Sequence, residues 1–211
     1  MSAKARKQLA TSDPTMAALI ERVGKIDIAT RLQRRSEERP ADAYGALLRA
    51  IVGQQLSTKA ARTIYGRVLE LFDGGAPSPE QLLEAGEADL RAAGLSGRKV
   101  EYMRDLASHV IEGELELDRL DQLDDEQVIE EIVAVRGLGV WTAEMFLLFH
   151  LERPDVLSGG DLGIRKAVQI EYGLGEMPTP TRVLEIGEPW RPQRSLASLY
   201  LWESLANAPV D

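Results

Sequence analysis

Apolar residues recur along this chain three and four positions apart, in short blocks separated by glycine, proline and small polar residues. Met16, Leu19, Ile20 and Val23 form one block behind Ser12-Asp13-Pro14, which reads as a cap with proline in the first helical turn. Tyr44, Leu47, Leu48, Ile51 and Val52 mark a helix ending near Gly53. After Gln54-Gln55-Leu56, Ser57 is placed to cap another helix through Ala60, Ala61, Ile64, Tyr65, Val68 and Leu69. Ser78-Pro79-Glu80 opens a short helix, a second covers 87–93 and stops at Gly94, and Ser96 caps one that runs to about Glu112. Asp124-x-x-Gln127 is a capping-box pattern ahead of Val128, Ile129, Ile132 and Val133. A further run carries Ala143, Phe146, Leu147 and Phe149; Asp161 then precedes Ile164, Ala167, Val168 and Ile170, in a helix ending at Tyr172-Gly173. Ala197, Tyr200, Leu201 and Trp202 lie on a last amphipathic helix with Ser195 near its cap. Alternation of period two is nowhere long enough for a strand, so the chain reads as all-α.

Composition bounds this picture. With 211 residues and 44% hydrophobic content, the chain can bury a sizeable core in one domain or two small lobes. It shows no bilayer-length apolar run and no signal peptide, which points to a cytosolic protein with no membrane attachment. The absence of cysteine excludes disulfides, thiolate zinc sites and the usual iron–sulfur cluster. A net charge of −9 argues against loose binding of nucleic acid over the whole surface, though not against a local basic face. The first residues, with Lys4, Arg6 and Lys7 and no apolar period, read as a flexible tail over 1–13. Arg31, Arg34, Arg35 and Arg39 form a basic cluster before Pro40, most simply a solvated linker.

The chemistry gathers at Arg136-Gly137-Leu138-Gly139. Two helices joined by a Gly-x-Gly turn set the amides of Gly139, Val140 and Trp141 at the start of the second helix, a seat for a phosphate. An ordinary αα-hairpin would give the same pattern. Trp141 in the first turn of the second helix, followed by Gly159-Gly160-Asp161, moves the balance. Asp161 on its own is an N-cap, and a carboxylate held at a helix start is also a fixed, ionised anion.

This combination resembles the helix-hairpin-helix DNA glycosylase superfamily, and within it the bacterial 3-methyladenine DNA glycosylase II family, over about Asp42 to Leu205. The hairpin is Gly137-Leu138-Gly139-Val140-Trp141-Thr142-Ala143, and the aspartate lies in Gly160-Asp161-Leu162-Gly163. The resemblance implies two helical lobes with a DNA-binding cleft between them, one over 42–153 and the other combining 14–41 with 154–211. It implies a monomeric, monofunctional enzyme that hydrolyses the N-glycosidic bond of alkylated bases such as 3-methyladenine and 7-methylguanine in duplex DNA. Asp161 is then the catalytic carboxylate, and Trp141, Trp202 and Met145 line the base pocket, with core packing as the alternative for either tryptophan. Gln55, with Leu56 beside it, becomes the wedge that fills the duplex when a nucleotide leaves the stack. Arg136, Gly137, Gly139, Val140, Ser96 and Lys99 become contacts to the DNA backbone, and the carbonyls of Val133, Val135 and Leu138 a seat for Na or K. No other cofactor is implied.

Several positions depart from the family pattern. Trp141 stands where relatives that also cut the backbone carry a Schiff-base lysine, so no lyase step is expected. Met145 and Glu203 stand where some relatives place tyrosines, which implies a wider and less selective pocket. Gln55 replaces a leucine of some relatives, and Arg136 the usual proline. Arg98, Lys99, Arg136, Arg165, Lys166, Arg191 and Arg194 fall around these motifs and supply the expected local basic face. A non-catalytic DNA-binding or scaffold protein is the rival from another class. A lysine-free glycosylase for mismatched or oxidised bases is the rival among enzymes.

Overall fold

The computed structural model describes residues 3–26 and 42–206, and every regular element among them is helical. The basic cluster at Arg31, Arg34, Arg35 and Arg39 lies outside the described residues. The chain divides into two compact units, Met1–Gln33 with Leu147–Asp211, and Arg34–Phe146. The boundary falls inside a helix, Val140–Phe149, rather than after Arg153. A helix that runs through a boundary leaves no break in the sequence to mark it.

The central unit is built from α3 (Ala43–Gly53), α4 (Thr58–Glu70), α5 (Pro79–Glu84), α6 (Glu87–Ala92), α7 (Gly97–Ile111) and α8 (Asp125–Ala134), and from the first part of α9 (Val140–Phe149). The caps read from the sequence are in place. Ser57, Ser78 and Ser96 accept the amides of Ala60, Gln81 and Lys99, and Asp124 forms its reciprocal capping box with Gln127. α7 packs against α3, α5 and α6, and its buried Val100, Met103 and Leu106 share the core with Leu47, Leu48 and Ile51 of α3. Tyr44 and Tyr65 join this core with hydroxyls that find no hydrogen-bond partner. Burial, with a smaller contribution from Asp42, pushes the Tyr65 hydroxyl up to about 12.

The other unit joins the two ends of the chain. α1 (Ala3–Ser12) corrects the expectation of a flexible tail: Ala5 and Leu9 are buried, and the helix packs on α2 (Pro14–Val23) and α12 (Arg194–Ala206). One alanine and one leucine a turn apart are too weak a period to read, and only these partners give them value. α10 (Leu162–Glu171) packs on α12 and on α11 (Pro180–Ile186), a short helix capped by Thr179 that the apolar pattern does not reveal.

Asp13 holds this unit together. One of its oxygens caps α2 through the amides of Thr15 and Met16, at 2.8 and 3.1 Å. The other accepts the Tyr172 hydroxyl at 2.7 Å and the Trp190 indole N–H at 3.1 Å. Trp190 is fully buried, so the carboxylate satisfies a polar group that has no access to water. Burial, followed by the bond to Asp13, drives the Tyr172 hydroxyl well above its ordinary range.

Asp13→Ala removes a helix cap and leaves one buried and one half-buried donor without this acceptor. It is expected to cost about 3 kcal/mol in urea unfolding. The Tyr65 shift sets a dependence on alkali. The unfolded chain ionises this phenol at about pH 10, before the fold can. The stability it contributes is therefore whole below that pH and lost as pH rises towards about 12. Urea midpoints measured over this range should fall less steeply for Tyr65→Phe than for the wild type.

Candidate active site

The turn between α8 and α9 is restrained from several directions within the central unit. Gly137 adopts φ +87°, and a Cβ there would run into the ring of Tyr102 on α7. Only glycine meets both conditions. The amide of Arg136 donates to Asp105 Oδ2 at 2.7 Å, and the Gly137 carbonyl accepts from Gln54 Nε2 at 2.7 Å. Gly139, by contrast, is exposed, with nothing within 4 Å of where a Cβ would stand. Val140 and Trp141 follow it with about half their surface open, so core packing does not explain this tryptophan. Met145, a turn further along α9, is half-buried.

The loop after α3 sits beside this turn. Gln55 is a non-glycine residue at φ +57°, and its side chain and that of Leu56 are exposed. Gln54 points the other way, into the hairpin. Lys99 does not extend towards solvent: its ammonium donates to the carbonyl of Val52 at 2.7 Å, and partial burial lowers its pKa. It closes the C-terminal end of α3, where a cation suits the helix dipole. Ser96 is exposed and acts as the cap of α7. Arg136 carries its guanidinium outward, 3.4 Å from Glu101. The backbone of Val133, Val135 and Leu138 forms the end of α8 and the turn, with the Val135 carbonyl accepting the Leu138 amide at 3.1 Å.

Asp161 lies in the other unit, as the N-cap of α10. Its Oδ1 accepts the Ile164 amide at 2.8 Å and the indole N–H of Trp202 at 2.9 Å. Trp202 in turn stacks on Phe149, with ring centroids 5.9 Å apart and planes 22° from parallel. A Cβ at Gly163 would stand 3.1 Å from both Asp161 Oδ1 and the indole, so glycine there lets the ring lie over the helix start. The approach to Asp161 is fixed as well. Ser195 on α12 donates to the Arg153 carbonyl and accepts the Val156 amide, while Asp155 receives Arg194 at 2.8 Å and Arg191 at 2.6 Å.

These bonds revise the expected basic face. Arg191 and Arg194 are held by Asp155, Arg165 by the Pro178 carbonyl, Lys166 by Gln169, and Lys99 by Val52. Arg98 and Arg136 remain as outward-facing cations near the motifs. Sequence reasoning also missed Gln54, Tyr102, Asp105, Phe149 and Gly163. Gly163, Gln54 and Phe149 stood in stretches read from the sequence, but only as a motif glycine, a loop residue and an apolar position; Tyr102 and Asp105 carried no signal at all. The ring of His109 lies 3.5 Å from Asp105 Oδ2, the same oxygen that accepts the Arg136 amide of the turn.

An all-helical chain built around such a turn is a helix-hairpin-helix protein. Within that class it belongs to the HhH-GPD superfamily of base excision DNA repair proteins, whose model matches residues 48–192. It is similar to DNA-3-methyladenine glycosylase 1 of Schizosaccharomyces pombe, 33% identical over 203 residues, or 95% of this chain and 86% of that one. A crystal structure of a DNA-3-methyladenine glycosidase from Bacillus halodurans superposes with a TM-score of 0.85 at 36% identity, covering 98% of this chain and 91% of that one. Schizosaccharomyces pombe 3-methyladenine DNA glycosylase Mag1, in complex with abasic DNA, superposes with a TM-score of 0.82 at 31% identity, covering 99% of this chain and 100% of that one.

Two glycines two residues apart should respond differently to a methyl group. Gly137→Ala forces positive φ and a clash with Tyr102, and should lower stability by about 2 kcal/mol or more. Gly139→Ala meets open space and should stay within about 0.5 kcal/mol of wild type in the same denaturant titration.

Proposed function

We propose that this protein is a monofunctional DNA glycosylase that hydrolyses the N-glycosidic bond of alkylated bases in duplex DNA, with 3-methyladenine and 7-methylguanine among its substrates. The observation that carries the reading is Asp161, a half-buried carboxylate fixed by an amide of its own helix and by the Trp202 indole, in a member of a base excision repair superfamily. The names of its relatives agree with it.

The chemistry follows from charge. As the bond from C1′ to the base lengthens, its electron pair leaves with the base and positive charge grows on the sugar. Alkylation at N3 or N7 has already made the base cationic, so it departs neutral and needs no general acid. The Asp161 carboxylate stabilises the sugar cation and takes a proton from the water that adds to C1′. Two donors on Oδ1 hold the group in one orientation, so little reorganisation is needed as charge develops. Trp141, Trp202 and Met145 contribute surface for a flat, electron-poor ring. With tryptophan at position 141, the site has no hairpin lysine to form a Schiff base, and the product is an intact strand with an abasic site.

The exposed turn at Gly139 and Val140, with Arg136 beside it, offers amides and one cation to a phosphate. Carbonyls at the end of α8, those of Val133 and Val135 with that of Leu138, suit Na or K: oxygen donors at the negative end of a helix dipole. Gln55 and Leu56 supply the wedge that replaces an extruded nucleotide.

Asp161→Asn keeps an acceptor for Ile164 and Trp202 but removes the anion. Release of free methylpurines from methylated duplex DNA should fall by about a thousandfold or more, while the wild type leaves abasic, unnicked strands. Binding of the duplex by wild type without release of any base would overturn the enzymatic reading in favour of a scaffold.

A further inference from the structure

We infer that Gln54 is a positioning residue that couples the phosphate-binding turn to the wedge loop, so that seating the one sets the other. The inference rests on the reading of Gln55 and Leu56 as the wedge. Three consecutive residues at the end of α3 have opposed directions: Gln55 and Leu56 face solvent, and Gln54 is turned inward with its Nε2 on the Gly137 carbonyl. Only the amide nitrogen can donate to a carbonyl, so this orientation of the side chain is chemically fixed.

The two ends of that bond are prepared by independent means. On the hairpin side, the positive φ of Gly137, the Tyr102 ring against its Cα and the Asp105 bond to the Arg136 amide leave the carbonyl a single direction. On the loop side, Gln54 caps α3, Leu56 N donates back to Gly53 O at 3.2 Å, and Lys99 holds the Val52 carbonyl. Between these anchors Gln55 is kept in the left-handed region, which a glutamine seldom adopts unaided. The Gln54 side chain supplies a hydrogen bond between the two restrained pieces, across 83 residues of sequence. A phosphate drawn onto the turn therefore meets a loop already aimed, and the wedge does not search for its position separately.

The test compares wild type, Gln54→Leu and Gln54→Glu. Leucine removes the donor, and the isosteric glutamate turns an oxygen towards the carbonyl. Release of methylpurines is measured from a methylated duplex and from the same strand alone, because a wedge has a hole to fill only in the duplex. Independently of chemistry, 2-aminopurine beside a tetrahydrofuran abasic site reports how far bound protein opens the stack at saturation. Both variants should lower the duplex-to-single-strand release ratio by about tenfold or more and weaken the 2-aminopurine response. A parallel loss on both substrates with an unchanged fluorescence response, or no loss at all, overturns the coupling. Should the wild type release no base, the glycosylase reading fails, and the fluorescence comparison alone then decides whether Gln54 couples turn and loop.

Discussion

A helix begins with amide groups that have no acceptor in the helix itself, and in an all-helical chain those groups decide where each element can start. Here the recurrent solution is a short acidic or hydroxyl side chain placed just before the first turn: Asp13, Asp42, Ser57, Ser78, Ser96, Asp124, Asp161 and Thr179. The same requirement produces both structure and chemistry. Asp13 and Asp161 are built alike, each capping a helix and each accepting an indole N–H from elsewhere in the unit. What separates them is surroundings. Asp13 is buried beneath Tyr172 and Trp190, whereas Asp161 is half-exposed at the end of a loop. One carboxylate is consumed by the fold, and the other is fixed by the fold while still open to solvent.

That contrast explains what the sequence disclosed. Caps and apolar periods are local, so the helices from Ala43 to Glu171 could be read almost residue by residue, and the Gly-x-Gly turn with Asp161 marked the candidate site. The supports of that site are not local. Gln54 and Gly137 are 83 residues apart, Arg136 and Asp105 31, Trp202 and Asp161 41, and no periodicity connects them. The amphipathic character of α1 also escaped notice, because Ala5 and Leu9 acquire meaning only against α2 and α12. Trp202 was legible as an aromatic residue near the site but not as a donor to the carboxylate, since an indole has both a face and an N–H and sequence does not say which is used.

The charge balance is similarly clarified by partners. A chain with a net charge of −9 would meet a polyanion reluctantly if it relied on its overall field. Many of the cations near the motifs are committed to carbonyls and carboxylates of the protein, where they brace loops. Holding phosphate would then fall mainly to backbone amides at the turn, which carry no net charge and act only at short range. A surface of this kind discriminates by shape: a backbone must fit the turn before it gains anything from it.

Along α12, three residues face one task in succession. Ser195 grips the backbone at Arg153 and Val156, Ser198 bonds the Val156 carbonyl, and Trp202 reaches Asp161. The helix thus works as a ruler laid along the segment from Arg153 to Asp161, with one graduation near each end. Its spacing is set by the helical repeat and does not stretch. Adding or deleting a residue in that segment would carry the carboxylate off its mark, while substitutions that keep the length would leave the ruler true. The segment carrying Asp161 is therefore constrained in length more than in composition.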